Sequence, residues 1–210
     1  MKWKLPVAIA LAPGLAGCSV YREATSSSLA TNVRWQSVAT SDDRDRMRDW
    51  RKAWDEALPL ARKVDPKAIA ADPLLFDPDR ALPDPAIPQG AYRCRTFKLG
   101  AKGTAVRDFT TYPAFDCRIA DEGEVRSLHK LTGSQRPTGL IFPDDPTRQI
   151  FLGTLVLGDE TAPLRYGLDA NRDMIGYVER IGAKRWRVVF PRPRFESIVD
   201  VMELVPATSN

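Results

Sequence analysis

The C-terminal half of the chain shows a period of two in its apolar and polar positions. Beyond Gly90, short runs that alternate or are wholly apolar lie between turn-forming residues, a pattern typical of β-strands. It predicts eight strands, near residues 91–99, 107–119, 125–132, 138–142, 148–158, 174–181, 185–190 and 197–204. Short links such as residues 182–184 favour antiparallel neighbours, and eight strands are enough to close a small barrel. A strongly curved open sheet is the alternative.

A period of three to four residues precedes the strands. Thr40 or Ser41 can cap a helix, and an apolar stripe follows at helical spacing, made by Met47, Trp50, Trp54, Ala57 and Ala61. The pattern predicts one amphipathic helix over residues 41–64, and Pro59 predicts a kink or an early end there. We interpret the stripe as core that packs on the β-domain, and a groove for a partner is the alternative.

Residues 65–90 combine six prolines with several large apolar side chains. This composition predicts an irregular arm that packs over the domain rather than a free linker. Residues 91–207 then form the β-domain. The expected fold is mainly β (α+β): about eight antiparallel strands as a small barrel or strongly curved sheet, with one N-terminal amphipathic helix packed on it.

The N-terminus resembles the signal of a bacterial lipoprotein. Two lysines precede an apolar stretch that ends in Leu15-Ala16-Gly17-Cys18, which is similar to a lipobox. We expect a signal peptide over residues 1–17, lipid on Cys18 and a flexible polar tether over residues 18–40; an ordinary secretory signal with a chance cysteine is the alternative. The prediction is a lipid-anchored protein of the bacterial cell envelope that faces the periplasm. Ser19 favours the outer membrane over the inner one.

The charge balance argues against nucleic acid as a partner. The predicted signal holds two of the 31 Lys and Arg residues and no acid, which leaves 29 basic against 27 acidic residues in the mature chain. A nearly neutral domain lacks the basic footprint of a nucleic-acid binder. The predicted export to the envelope also argues against nucleic acid as a partner.

Lipid on Cys18 leaves Cys94 and Cys117 as an even pair in an oxidising compartment. We therefore predict a structural disulfide between them, with two buried thiols as the alternative. His129 is the only histidine of the chain, so the residues of a zinc site are lacking. We expect no metal and no cofactor.

The segment from Arg180 to Arg194 carries six cations and no acid. Its charged residues alternate with apolar ones, so the charges of one strand would share a face. That face is a candidate to bind an anionic envelope polymer or an envelope protein, through Lys184, Arg185, Arg187, Arg192 and Arg194. The alternative is a solvated outer face whose cations pair with acids such as Glu179 and Glu196.

No pattern of residues identifies a catalytic site. Ser134 lies in a polar turn without the G-x-S-x-G elbow of a hydrolase, and His129 would be its only histidine base. Asp169, Asn171 and Asp173 have the oxygen spacing that begins a calcium loop. The glycine and the glutamate that complete an EF-hand are missing, however. We therefore expect no catalytic and no metal-binding residues.

Six segments carry a family resemblance: Tyr92-Arg93-Cys94-Arg95-Thr96, residues 131–137, residues 149–157, Arg172-Asp173-Met174-Ile175-Gly176, Arg185-Trp186-Arg187 and Phe195-Glu196-Ser197. They are similar to an uncharacterised bacterial envelope family, domain of unknown function 4893. The helix with Trp50 and Trp54 fits too, so the resemblance covers nearly the whole mature chain. It implies an envelope protein and supplies no activity to transfer.

The sequence thus favours a non-catalytic binding or structural module that is attached to the membrane through its N-terminal lipid. A barrel-type envelope protease inhibitor is the alternative, on analogy of architecture alone. A hydrolase that uses Ser134 or a pair of carboxylates is the second alternative.

Overall fold

The barrel closes because its first and last strands pair with each other. A computed structural model describes residues 34–103 and 107–207. Their strands are β1 (Gly90–Ala101), β2 (Phe109–Thr111), β3 (Phe115–Asp121), β4 (Arg126–Lys130), β5 (Gln135–Pro143), β6 (Arg148–Leu157), β7 (Asp173–Gly182), β8 (Arg185–Pro191) and β9 (Ser197–Pro206). From β3 to β9 each strand pairs with the next, and β9 returns to β1 along a ladder from Tyr92↔Pro206 to Ala101↔Ser197. The predicted small barrel is confirmed: eight antiparallel strands close, and one extra strand is added.

The helices lie N-terminal to the barrel in sequence. They are α1 (Trp35–Val38), α2 (Ser41–Arg48), α3 (Trp50–Val64), α4 (Pro66–Ala71) and α5 (Pro73–Phe76). None of these described helices has both the length and the apolar character that crossing a membrane requires.

The strand predicted over residues 107–119 is two strands in the structure. Pro113 lies between β2 and β3, and a proline cannot donate to a ladder. β3 pairs with the first half of β1 and with β4. Within the described residues β2 pairs with β1 alone, from Phe97↔Thr111 to Leu99↔Phe109. The wall of the barrel is therefore interrupted beside β2, at the end where β3 begins.

Two glycines allow β5 and β6 to approach closely. Gly139 and Gly153 are register partners. A Cβ atom on Gly139 would lie 2.2 Å from the carbonyl oxygen of Leu152, and one on Gly153 would lie 2.2 Å from that of Thr138. Only glycine fits at both positions, so this pair sets the contact between the two strands.

One face of each strand points into the barrel. The interior is apolar over most of its length, with the buried side chains of Tyr92, Ile119, Leu128, Ile141, Phe151, Val178, Trp186, Val188 and Leu204. Cys94 and Cys117 belong to the same interior cluster and form a disulfide, with their Cα atoms 5.9 Å apart. The predicted disulfide is confirmed. It ties β1 to β3, next to the seam between β1 and β9.

The predicted helix over residues 41–64 is two helices that meet at Asp49. This residue is the C-cap of α2 and the N-cap of α3. α3 continues through Pro59 to Val64, so the proline does not end the helix as expected. The missing N–H of Pro59 leaves one carbonyl without its helical partner, and Asp55, four residues earlier, is exposed to water.

The apolar stripe of the helices packs on the outer face of the barrel, as predicted. Trp54, Ala57 and Ala61 are buried against strand residues that include Phe97 and Val201. The wall of the barrel is therefore apolar on both faces on this side. A second hydrophobic core lies between helices and strands, separate from the core inside the barrel.

The proline-rich arm, residues 65–90, also packs on the barrel. Its helices α4 and α5 bury Ile69, Leu75 and Phe76 against the outer wall. Ile87, just before β1, is fully buried in the interior cluster. The arm therefore covers the end of the barrel at which β1 begins.

A buried ion pair holds this arm against the outer wall. Arg187 on β8 and Glu179 on β7 have no exposed surface, and the guanidinium donates to Oε2 of Glu179 at 2.6 and 2.8 Å. Arg187 also donates to the carbonyl oxygens of Leu75, at 2.7 Å, and Arg80, at 3.0 Å. The second carboxylate oxygen of Glu179 accepts from Arg148 at 2.6 Å. Both charges are thus compensated by protein groups.

Removing one partner of this pair should strongly destabilise the fold. Arg187→Met leaves two buried carbonyls without a donor and part of the Glu179 charge unpaired, so we expect the free energy of unfolding in urea to fall by about 3–5 kcal/mol. Arg48→Met is the matched control, because Arg48 pairs with Asp45 on the surface, where an ion pair contributes about 0–1 kcal/mol. Equally small losses in both variants would contradict this role.

Candidate functional site

The barrel mouth, the end at which β4 ends and β5 begins, holds a cavity. Its floor is apolar and consists of Leu155, Met174, Phe190 and Met202. Charged and polar side chains line the wall above it, including Lys98, Lys130, Asp200, Thr96 and Gln135. The cavity volume is about 70 Å³, enough for about five water molecules or for a small organic molecule.

Lys98 on β1 is neutralised inside the barrel. Its side chain is 7% exposed, and its Nζ lies 2.9 Å from Oδ2 of Asp200 and 3.2 Å from Oε2 of Glu196. Ser197 donates a hydrogen bond to the other carboxylate oxygen of Asp200. Burial alone would lower the pKa of Lys98, but the two carboxylates outweigh it and raise the pKa.

Lys130, at the end of β4, is buried without such compensation. The residue is 6% exposed. Its Nζ donates to the carbonyl oxygen of Gln135 at 2.7 Å and lies 3.9 Å from the ring centroid of Phe115, a cation–π contact. Burial, together with the positive charges of Lys98 and Arg136, lowers the pKa of Lys130 to about 8.

The turn between β4 and β5 wraps around this ammonium group. Gly133 has a left-handed backbone (φ 89°), and a Cβ atom there would lie 2.9 Å from the Phe115 ring and 3.1 Å from Nζ of Lys130. Arg136 donates to the carbonyl oxygens of Gly133, at 2.8 Å, and Gly158, at 2.6 Å. The turn is therefore fixed from outside, and its glycine leaves space for the lysine head group.

The loop between β8 and β9 forms the opposite rim of the barrel mouth. Pro193, Arg194 and Phe195 line the opening. Glu196 adopts a left-handed conformation (φ 68°), which is unfavourable for a residue with a side chain. Its carboxylate accepts from Nε2 of Gln135 at 3.3 Å and contacts Lys98, so the strained residue connects β1, β5 and β9 across the opening.

A family model described as Domain of unknown function (DUF4893) matches residues 35–204. The chain belongs to this family. The match begins with α1 and ends within β9, so helices and barrel together make up the DUF4893 domain. No curated protein and no solved structure matches the chain.

The basic segment of the DUF4893 domain lies largely against its own helices. Trp186, Val188 and Phe190 face the interior, so the predicted alternation holds. The outer face of β8, however, is covered: Arg187 has no exposed surface, and Arg185 pairs with Asp72 and Glu203. Arg187 is therefore not an exposed cation, because the alternation predicts on which side of the strand a charge lies and not what covers that side. Binding of an anionic partner by the other cations of this segment stays a prediction.

Of the other candidate cations, two are paired with acids and one is exposed. Arg192 pairs with Asp49 at 2.8 Å and with Glu56 at 2.6 Å, and Arg194 pairs with Asp42. These contacts fasten α2 and α3 to the loop between β8 and β9. Lys184, in the hairpin between β7 and β8, is exposed. The lipidation candidate, Cys18, lies outside the described residues.

The structure does not bring Ser134 and His129 together. Ser134 lines the cavity, whereas His129 lies on the opposite face of β4 from its buried neighbour Lys130. Asp169 and Asp173 serve the backbone of their own loop, accepting from the amides of Asn171 and Gly167. Among the described residues, no group of three or more His, Cys, Asp or Glu side chains is placed to hold a metal ion.

The charged residues of the cavity were missed by the sequence analysis. A signal existed: Lys130 shares strand parity with Leu128, and Asp200 shares it with Met202. A charge at an otherwise inward-facing position marks a polar site inside a barrel. Lys98 and Asp200 are 102 residues apart, so only the closure of the barrel reveals that they meet.

The uncompensated lysine should make stability depend on pH. The pKa of Lys130 is about 8 in the folded state and 10.5 in a solvated chain. The unfolded state therefore binds more protons in this interval, and stability rises with pH. From pH 7.5 to 10.5 the wild type should gain about 3 kcal/mol of unfolding free energy relative to Lys130→Met.

Urea unfolding at several pH values measures this difference. The exposed Lys184 supplies a matched control, since Lys184→Met should follow the wild-type profile. Parallel profiles for wild type and Lys130→Met would show that Lys130 titrates as a solvated lysine.

Proposed function

We propose that this protein is a lipid-anchored module of the bacterial cell envelope that binds a small ligand in its barrel mouth. The observation that carries the proposal is the cavity itself. An apolar floor and a few convergent polar groups form the usual composition of a ligand site. Inside an otherwise apolar barrel, the buried charges of Lys98, Lys130 and Asp200 serve no evident packing purpose.

A binding role fits the site better than the other functions considered. Asp200 and Glu196 both bind Lys98, which suits a fixed polar wall more than a group that must exchange protons with a substrate. A hydrolase built on Ser134 finds no histidine beside it. The barrel-type inhibitor rests on analogy of architecture alone.

The lipid anchor and the envelope location rest on the sequence, with support from the disulfide. The lipobox-like stretch ends at Cys18, and a polar segment follows it. A buried disulfide between Cys94 and Cys117 is typical of proteins that fold in an oxidising compartment. Ser19 favours the outer membrane as the site of the anchor.

The anchor is tested by Cys18→Ser. Without the acceptor sulfur no lipid is attached, so we expect the protein to leave the membrane fraction and appear in the soluble one. Ser26→Ala, in the predicted tether, is the control and should stay with the membrane. Membrane fractionation of Cys18→Ser that equals the wild type would refute the lipobox.

The ligand site is tested by NMR of methionine methyl groups in the full chain with Cys18→Ser, which carries no lipid. Met174 and Met202 line the cavity, whereas Met47 packs under the helices. Butyrate, 1-butanol and 1-butylamine serve as probes of equal chain length. At least one of them should shift the first two methyl signals and leave that of Met47 in place.

Filling the cavity provides the matched control for this titration. Thr96→Phe places a ring at the cavity wall and should abolish the shifts, while Thr111→Phe changes an exposed residue of β2 and should preserve them. If none of the three probes moves the signals of Met174 and Met202, the barrel mouth is not a ligand site.

A further inference from the structure

The ammonium group of Lys130 has capacity for a further partner. An ammonium carries three donors, and the hydrogen bond found for it among the described residues goes to the carbonyl oxygen of Gln135. Its other close contact is the face of the Phe115 ring. A buried cation that is held by one neutral oxygen and one ring is incompletely compensated.

The charges around Lys130 are arranged to favour an anion. The charged and titratable groups that line the cavity around Lys130 are Lys98 on β1, Tyr112 after β2, Asp200 on β9, Arg46 on α2, Asp173 on β7 and Arg194 before β9. Glu196 contacts Lys98, and Arg136 holds the turn from outside. Asp200 and Glu196 are engaged by Lys98, and Asp173 accepts from the amide of Gly167. The charges that act on Lys130 are those of Lys98 and Arg136, both positive. An anionic group beside Lys130 would therefore meet a cation that no carboxylate of the described residues pairs with, whereas Lys98 is already offset by Asp200 and Glu196.

The part of the cavity away from Lys130 determines the size and polarity of the ligand beyond its anionic group. The floor consists of Leu155, Met174, Phe190 and Met202, and the Phe115 ring lies beside the ammonium. These side chains offer no charged partner. A volume of about 70 Å³ admits a chain of a few carbon atoms, on the scale of about one water molecule for each 10–15 Å³.

We infer that the barrel mouth binds a short-chain carboxylate, with the carboxylate group on Lys130 and the alkyl chain on the apolar floor. This inference rests on the proposed function, because it names the ligand class of the same cavity. Inorganic phosphate offers the charge without the apolar part. An alcohol of equal length offers the apolar part without the charge.

The test compares butyrate, 1-butanol and inorganic phosphate in the methionine NMR titration. Butyrate should bind the full Cys18→Ser chain about 10- to 100-fold more tightly than 1-butanol, the range expected for one charge-assisted contact in a buried site. Lys130→Met should bring butyrate down to the affinity of the alcohol. Lys184→Met, which removes an exposed lysine at the far end of the barrel, should leave the preference unchanged.

The dependence on pH separates a direct role of Lys130 from a structural one. Only the protonated amine attracts the carboxylate, so butyrate affinity should fall about tenfold between pH 7 and pH 9, as expected from the pKa of about 8. The affinity for 1-butanol should stay constant. Tyr112 does not titrate in this range, because burial raises its pKa from the ordinary value of 10.

The outcomes test the carboxylate class and the proposed ligand site separately. Equal affinities for butyrate and 1-butanol, or a preference that survives Lys130→Met in a folded variant, overturns the carboxylate class and leaves the cavity as a ligand site. Phosphate that binds as tightly as butyrate also overturns it, since the apolar floor would then contribute nothing. Failure of all probes to bind removes both the carboxylate class and the proposed function.

Discussion

The buried ion pair of Arg187 and Glu179 is the constraint on which the assembly of helices and barrel depends. Two charges without exposed surface are tolerated only if nearly every donor and acceptor is satisfied. Here the guanidinium uses the carboxylate and the carbonyls of Leu75 and Arg80, which are backbone groups of α5 and of the arm. Arg187 and Glu179 are register partners on neighbouring strands, but the carbonyl partners come from the arm. The guanidinium is therefore fully satisfied only when the arm is in place, which makes the packing of the helices specific.

The molecule has two hydrophobic cores, one between the helices and the outer wall and one inside the barrel. The helices bury the outer wall, so stability does not depend on a tightly packed barrel mouth. The far end of the barrel is filled by Ile87, Tyr92 and Trp186 and by the disulfide. The barrel mouth can therefore hold Lys98 and Lys130, whose burial costs free energy. Asp200 and Glu196 offset that cost for the first lysine, and no carboxylate of the described residues offsets it for the second.

The sequence predicts the framework of this fold better than its site. Alternation and helical spacing are local signals, so the strands, the apolar stripe and the pairing of Cys94 with Cys117 could be predicted. The break between β2 and β3 at Pro113 and the break between α2 and α3 at Asp49 are local as well. They arise from strand pairing and helix capping, which the hydrophobic pattern of a segment does not show. The contact of Lys98 with Asp200 depends on the seam between β1 and β9, which joins the two ends of the sheet. Whether Arg187 is exposed depends on an arm more than 100 residues away in sequence.

Five of the six segments that carry the family resemblance contribute side chains to the barrel mouth. Thr96, the turn over residues 131–137, Leu155, Met174 and Phe195 come from separate segments of this kind, and members of each line the barrel mouth. The turn looked like an ordinary polar connection because its composition suits any turn. In the folded chain its Gly133 makes room for the ammonium of Lys130, and its Arg136 fixes the loop from outside. The sixth segment, Arg185-Trp186-Arg187, lies at the far end of the barrel, with Trp186 in the interior core. The family resemblance therefore covers the framework of the DUF4893 domain as well as the lining of its barrel mouth.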